Sequence, residues 1–427
     1  MTDQIAAIVG INWGDEGKGR MVDLLAAQYD VVARYQGGGN AGHTVVNEHG
    51  TFALHLLPSG IFNPGVINVL GNGVAVNAEQ LMREIDDVAA QGVAVTPQNL
   101  VVSERASLLL PWHRDRDNLE EARLADKQYG STKQGIAPFY SDKFAKKTIL
   151  AGELRNREAL RKHVALLLEW ENLTLEGVYG AEPTSLDDVM EWIDEWAMRM
   201  VPFLADPAQV LGDARAAGKR ILFEAQLGAL RDIDFGIHPF TTSSNTIAAY
   251  APVGSGLPSA RVERVVGVVK AYSTAVGAGP FVCEWDGEKA DRLRDAGGEY
   301  GATTGRPRRV GPIDIVATRY GVEVQGATEI ALTKMDVLSD MDEIPVVEAY
   351  ELDGERTERF PFPSDLDRAR PIETSLPGWR TDISGARTWD ELPQEARDYV
   401  EYVESKIGAR ISYVSVGAER DAYIVRN

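Results

Sequence analysis

Cysteine is nearly absent: Cys283 is the only one in 427 residues. That excludes an intrachain disulfide framework and any multi-cysteine zinc or iron–sulfur centre. Long apolar runs are also missing, and nothing approaches the ~18 consecutive apolar residues of a membrane span. The N-terminus reads MTDQ before a short apolar run, without the charged n-region and long h-region of a secretion signal. Positive charge is scarce. Lys and Arg number 44 against 64 Asp and Glu, a formal net charge of −20. Phosphate affinity comes mostly from cationic side chains, so partners such as nucleic acid or an anionic membrane are disfavoured. An anionic ligand must then be held by a local cationic pocket. These absences point to a cytoplasmic protein. What is present is ordinary globular composition, 44% hydrophobic and 25% charged, which excludes a disordered chain.

The length suits either several domains of ~150 residues or one large α/β domain with insertions. No Ser/Gly linker divides the chain, which favours a single domain over 1–427. Residues 5–9 (IAAIV) read as a buried strand feeding a glycine-rich turn, followed by a helix with Met21, Leu24 and Leu25 on one face. Further strands are expected at 30–35, 66–70, 219–223, 262–271, 329–333 and 411–416, with an exposed one at 344–352. Helices are expected at 78–90, 118–127 and 394–407, and a Pro-rich charged loop at 360–371. The segment 153–206 looks helical throughout, with Val189, Trp192, Trp196 and Met200 at amphipathic spacing, and reads as a helical insertion. Alternating strands and helices imply an α/β fold: a large, mostly parallel central sheet flanked by helices.

Residues 10–20 read GINWGDEGKGR. A glycine-rich turn between a strand and a helix cradles phosphates through backbone N–H groups and the helix dipole. Lys18 would reach the outer phosphates as in a P-loop. The match to a Walker A motif is imperfect: Asn12 stands at the first glycine position and Gly19 at the Ser/Thr position. Asp15 and Glu16 are odd in a phosphate cradle, because carboxylates repel phosphate. Two readings are open: a carboxylate beside the nucleotide binds Mg²⁺ or takes a proton, or both acids merely complement a helix N-terminus.

A second constellation, QGGGNAGHT (36–44), follows a strand and so lies at the edge where open α/β sheets bind ligands. His43 there is either an acid or electrophile near neutral pH, or a structural loop histidine. A third, GATTGRPRR (301–309), packs three arginines into four residues of an acidic chain: an anion site, or a solvated basic loop. TKMD (333–336) follows the strand EIAL, as does the T/N-K-x-D element that reads guanine, although four letters are weak by themselves.

Taken together, WGDEGKG (13–19), GGNAGHT (38–44), LPSGI (57–61), GNGV (71–74), TSSNT (242–246), KAYST (270–274), VGAGPF (276–281), GATTGR (301–306) and TKMD resemble the adenylosuccinate synthetase family in order and spacing. The resemblance implies a P-loop-NTPase-like architecture and a cytoplasmic ligase of purine biosynthesis. It would join L-aspartate to IMP with GTP and Mg²⁺, through a 6-phosphoryl intermediate, as the first committed step from IMP to AMP. It also implies a homodimer.

By that resemblance Asp15 takes the N1 proton of IMP, O6 attacks the γ-phosphate, and His43 and Lys18 assist the phosphoryl group in transit. Asp15 and the Gly42 carbonyl would hold Mg²⁺. IMP would meet Asp15, Lys18, Asn40, Ala41, His43, Thr132, Gln226, Thr242 and Arg306, with Lys146 arriving from the partner subunit. GTP would meet Gly14, Glu16, Gly17, Lys18, Gly19, Gly42, His43, Thr44, Arg308, Lys334, Met335, Asp336, Ser415, Val416 and Gly417. L-Aspartate would be closed over by Ala302, Thr303, Thr304, Gly305, Arg306 and Arg308.

The chain departs from the family pattern in places. GSTKQGIAPFY (130–140) replaces GTTGRGIGPAY, and Lys146 stands for an arginine, losing the planar fork. EAQLG (224–228) replaces EGAQG, so Gln226 is shifted by one residue as the IMP-contacting amide. Ala275 replaces an arginine, and Pro307 interrupts the arginine cluster. Competing readings are a related synthetase using GMP or dGMP with ATP, a GTP-binding regulator without ligase chemistry, and a nucleic-acid-binding module.

Overall fold

The computed structural model describes residues 4–47, 50–301, 305–419 and 421–426. Its centre is the strand Ile5–Gly10, buried at every position. A strand covered on both faces must be apolar throughout, which is why IAAIV does not alternate. It pairs in parallel with Ile221–Gly228 on one side and Arg264–Lys270 on the other. The ten-stranded sheet runs Tyr423–Val425, Arg410–Ser415, Glu329–Thr333, Arg264–Lys270, Ile5–Gly10, Ile221–Gly228, Val31–Arg34, Ile67–Leu70, Leu100–Ser103, Leu204–Ala205. All pairings are parallel except that of Tyr423–Val425. A five-stranded sheet holds Tyr272–Ala275, Arg309–Asp314, Glu343–Leu352, Glu355–Thr357 and Arg370–Pro377. His43–Asn47 and Gly50–Leu54 form a separate hairpin.

Parallel strands send their C-terminal ends to one edge. The turn after Ile5–Gly10, the loop after Val31–Arg34, and the TKMD element after Glu329–Thr333 therefore emerge together. Every one of these motifs was read from sequence as following a strand, and the sheet is what gathers them.

Several sequence expectations are corrected. The helix placed at 118–127 begins earlier, at Pro111–Leu124; proline at its first turn was the start signal. The strand taken as exposed, Glu343–Leu352, buries Ile344, Val346, Val347, Ala349 and Tyr350: Ile344 and Val346 join the main core, while Val347 and Tyr350 pack with Val316 and Ala317 of the helix Ile315–Gln325. His43 opens a strand and is not in a free loop. The segment 153–206 carries the helices Arg157–Thr174 and Leu186–Glu195, but its end is strand: Leu204 and Ala205 pair with Val102 and Ser103. The stretch read as the loop 360–371 contains the 3-10 turn Pro363–Arg368, and Arg370 already belongs to a strand. Among the described residues no helix is long and apolar enough to cross a membrane.

Candidate functional site

Three left-handed residues shape the glycine turn. Gly14, Asp15 and Gly17 have φ of 102°, 59° and 95°. Asp15 is a non-glycine residue in the left-handed region, a strained position of the kind that recurs at functional sites. Glu16 points back into its own loop. One carboxylate oxygen accepts from the backbone N–H of Asn12 (3.1 Å) and Gly14 (2.8 Å), and the other takes Lys18 Nζ at 2.6 Å. Both side chains are buried. Two loop amides are thus committed to Glu16, and the helix Lys18–Ala26 follows with Gly17 as its N-cap. Thr333 Oγ1 donates to the Glu16 carbonyl at 2.8 Å and ties this loop to TKMD.

Gly19 explains the departure from the P-loop pattern. A Cβ at this position would lie 2.5 Å from His43 Cβ. A Ser or Thr there would displace the histidine, so this loop gives up a hydroxyl and gains an imidazole against its helix.

His43 is buried, and its Nδ1 lies 2.6 Å from Glu224 Oε1. Glu224 also accepts from the backbone N–H (2.9 Å) and hydroxyl (2.8 Å) of Ser59. Burial pushes the His43 pKa below its ordinary value, against the pull of Glu224. Burial alone would raise Glu224, but the His43 hydrogen bond and charge and the buried Arg34 hold it low. The pair is a carboxylate and a neutral imidazole whose Nδ1–H is donated; that tautomer follows from the hydrogen-bond network. Among the described residues His43 Nε2 has no partner.

Other buried polar atoms left without a partner among the described residues include Asn40 Oδ1, Thr242 Oγ1 and Asp336 Oδ1. Unpaired buried polar atoms are costly; these three lie on residues singled out from sequence as ligand contacts, while others, such as those of Tyr29 and Trp285, do not. Burial raises the Asp336 carboxyl pKa. Arg308 Nε lies 3.0 Å from Asp15 Oδ2, and its Nη1 is 2.7 Å from Glu299. Lys334, at φ 61°, places Nζ 3.1 Å from the same Glu299. Ser415 Oγ accepts from Arg20 at 3.0 Å, and Arg20 also bonds the Gly417 carbonyl.

The Gln226 amide, expected to contact IMP, is engaged within the protein. Its Oε1 accepts from Gly38 N–H (3.1 Å), and its Nε2 donates to the carbonyls of Gly38 (2.6 Å) and Ala41 (3.1 Å). All of that side chain is committed to the glycine loop. The next residue, Leu227, has φ 62° and faces Gly14. Met335 and Val416, expected at the GTP site, are wholly buried with their side chains in the main core. Thr132 and Lys146 are exposed. The loop bearing Thr132 is pinned by Asp117, which accepts from Ser131 Oγ (2.7 Å) and Gly135 N–H (2.8 Å). Arg306 and Gly305 are exposed, and Ala302, Thr303 and Thr304 lie outside the described residues, as does the side chain of Thr44. Gly42 is exposed.

Sequence reasoning missed the partner roles of Glu224, Glu299 and Arg20. Glu224 was signalled: a carboxylate inside the apolar run RILFEAQ needs a buried partner. The other two are set only by tertiary contact. Among the described residues no three His, Cys, Asp or Glu side chains cluster as a metal cage. A magnesium ion bound by one carboxylate, a carbonyl and substrate phosphates needs no such cage.

Comparison with known proteins closes the picture. A family model described as adenylosuccinate synthetase matches residues 7–424. The adenylosuccinate synthetase 2 of Pseudoalteromonas translucida is 47% identical over 421 residues, 98% of this chain and 99% of that protein. The adenylosuccinate synthetase of Streptococcus gordonii is 43% identical over 415 residues, 97% and 96% of the two chains. The solved structure of fully ligated adenylosuccinate synthetase from Plasmodium falciparum superposes with TM-score 0.93 at 33% identity, covering 99% and 100%. The cyanophage S-2L succinoaminodeoxyadenylate synthetase, solved with dGMP and dATP, gives TM-score 0.61 at 21% identity over 100% and 96%.

Proposed function

The chain belongs to the adenylosuccinate synthetase family, and from that premise we propose how its residues divide the reaction. The protein is a ligase that joins L-aspartate to IMP with GTP as co-substrate, giving adenylosuccinate, GDP and phosphate. Asp15 takes the proton from N1 of IMP, so that charge builds on O6. O6 then bonds the γ-phosphorus while the bond to the bridging oxygen breaks and GDP departs with the electron pair. The aspartate amine attacks C6, the C6–O bond breaks, and phosphate leaves. Lys18 holds the transferring phosphoryl group, and His43 donates through Nε2. Lys334 and Asp336 recognise guanine, Asn40 and Thr242 hold IMP, and the arginines of 306–308 take the aspartate carboxylates.

His43 carries the assignment. It is buried, aligned by Glu224, pressed against the phosphate-loop Gly19, and has Nε2 unpartnered among the described residues. A buried ring nitrogen without a partner is costly unless a ligand takes it up. The triphosphate brings negative charge to that nitrogen and raises the imidazole pKa toward the protonated form that donation requires.

Asp15 and the Gly42 carbonyl would hold Mg²⁺; both offer hard oxygen donors on accessible turns. The ion, when bound, neutralises charge on the phosphates. The homodimer is supported by an apolar stripe on Arg157–Thr174, where Leu166, Trp170 and Leu173 are 62%, 48% and 66% exposed. Phe144, 77% exposed, stands two residues from Lys146, which would reach the partner's IMP. A cytoplasmic location fits an acidic chain with no spanning helix among the described residues. The likeness to the cyanophage enzyme shows the fold alone, and Lys334 with Asp336 favours a guanine co-substrate.

The test is Asp15→Asn with IMP, GTP, Mg²⁺ and L-aspartate, followed by absorbance at 280 nm. Loss of general-base assistance should cost ~10²–10⁴ in kcat. Binding of IMP and GTP should persist. Near-normal kcat refutes the base role.

A further inference from the structure

We infer that Glu299 is a positioning residue that couples the guanine end of the site to the aspartate-binding arm. The inference rests on the assignment of those two subsites above. No substrate role falls to Glu299 itself, yet its carboxylate is fully buried and ringed by cations. Lys270 Nζ lies 2.9 Å and 3.0 Å from its two oxygens. Lys334 Nζ is 3.1 Å away and Arg308 Nη1 is 2.7 Å away. Tyr272 donates its hydroxyl to the same group.

The backbone adds to this. Arg308 N–H donates to the Glu299 carbonyl at 2.9 Å, and Gly301 N–H donates to the Arg306 carbonyl at 2.8 Å. Tyr300 and Pro307 form an isolated bridge between these rungs. Glu299 and Arg308 thus close the base of the aspartate arm, side chain and main chain together. Arg308 Nε lies 3.0 Å from Asp15 Oδ2. A continuous ionic path runs Lys334, Glu299, Arg308, Asp15, and its members serve guanine, aspartate and IMP in turn.

One carboxylate with two oxygens cannot serve three cations and a hydroxyl equally. If guanine draws the Lys334 ammonium away, Glu299 is left to Lys270 and Arg308, and the arginine is set more firmly. The reverse holds when aspartate engages Arg308. Burial would raise the Glu299 pKa, but Lys270, Lys334 and Arg308 together hold it well below the usual range, so the group stays ionised throughout. Linkage then requires each ligand to change the other's affinity by the same factor.

The experiment is calorimetric titration of GDP into the full chain with Mg²⁺ and IMP, with and without L-aspartate. GDP avoids turnover. For the wild type, L-aspartate should tighten GDP by ~5-fold or more, within the usual range of coupling. Glu299→Gln keeps shape and removes charge, and the factor should fall to near one. Glu299→Asp keeps the charge and should recover part of it, which a purely structural role does not predict. If Glu299→Gln leaves Lys270 unpaired and the chain unfolded, the double variant Lys270→Met/Glu299→Gln removes both charges and is read the same way. A factor near one in the wild type, or an unchanged factor in the variants, overturns the inference. A wild-type chain that makes no adenylosuccinate refutes the functional reading instead.

Discussion

Glu224→Gln tests the histidine directly. The carboxylate accepts three hydrogen bonds, from His43 Nδ1 at 2.6 Å and from the Ser59 hydroxyl and N–H at 2.8 and 2.9 Å. An amide has one acceptor oxygen and one NH₂ group. Holding Ser59 turns the NH₂ toward His43, forces Nδ1 to accept, and moves the imidazole hydrogen to Nε2. Holding His43 leaves the Ser59 N–H facing a donor. Either way the imidazolium loses its anion. Hydrogen bonds to charged groups are worth ~1.5–3 kcal/mol, which is ~10–150-fold in rate. The assay is the initial rate at 280 nm with all substrates saturating, repeated across pH. Burial already lowers the His43 pKa, with Glu224 opposing. Removing the carboxylate lowers it further, so the fall of kcat at high pH should move to lower pH. A kcat within twofold of wild type with an unmoved profile refutes the argument.

Other outcomes follow from the same geometry. GTP should bind with proton uptake near pH 7, because burial keeps His43 neutral in the free protein and triphosphate charge favours the imidazolium; equal heats in buffers of different ionisation enthalpy, or uptake retained in His43→Asn, would contradict this. Asp336→Asn loses an acceptor for guanine and should lower preference for GTP over ATP by ~10-fold or more, read from the ratio of kcat/KM values; unchanged discrimination would remove the guanine assignment. Gln226→Ala strands Gly38 and Ala41 backbone groups at ~1–3 kcal/mol each, so Tm should drop and KM for IMP should rise. An unaltered Tm would mean that the glycine loop stands without its amide brace.

The sheet was legible because buried parallel strands advertise themselves. IAAIV could be read as a buried strand and EIALT and ISYVSV as strands, and the loops after them inherit a common edge. The residues proposed for catalysis drew notice for a different reason: acids such as Asp15 are odd in a phosphate cradle, and His43 sits in a run of glycines. The bracing of the glycine loop by Gln226 was not legible, because a motif shifted by one residue cannot reveal which way the strand turns a side chain; pleating sends neighbours to opposite faces. Glu299 and Arg20 were invisible because their meaning comes from partners 29 and 35 residues away, or 395 and more. The Glu343–Leu352 strand looked exposed because its sequence alternates only loosely, while the residues packed on its faces, such as Val316 and Ala317, are set by tertiary contact.

The inward turn of Glu16 has one more consequence. A nucleotide-binding loop that supplies its own counter-ion does not wait for a guest to acquire its form. The cost of ordering residues 12–18 falls on folding, and the visiting triphosphate meets a finished socket. Swapping that acid for glutamine would let its oxygen keep the two loop amides but turn its NH₂ toward the Lys18 ammonium, and the empty protein, more than the occupied one, would suffer from the exchange.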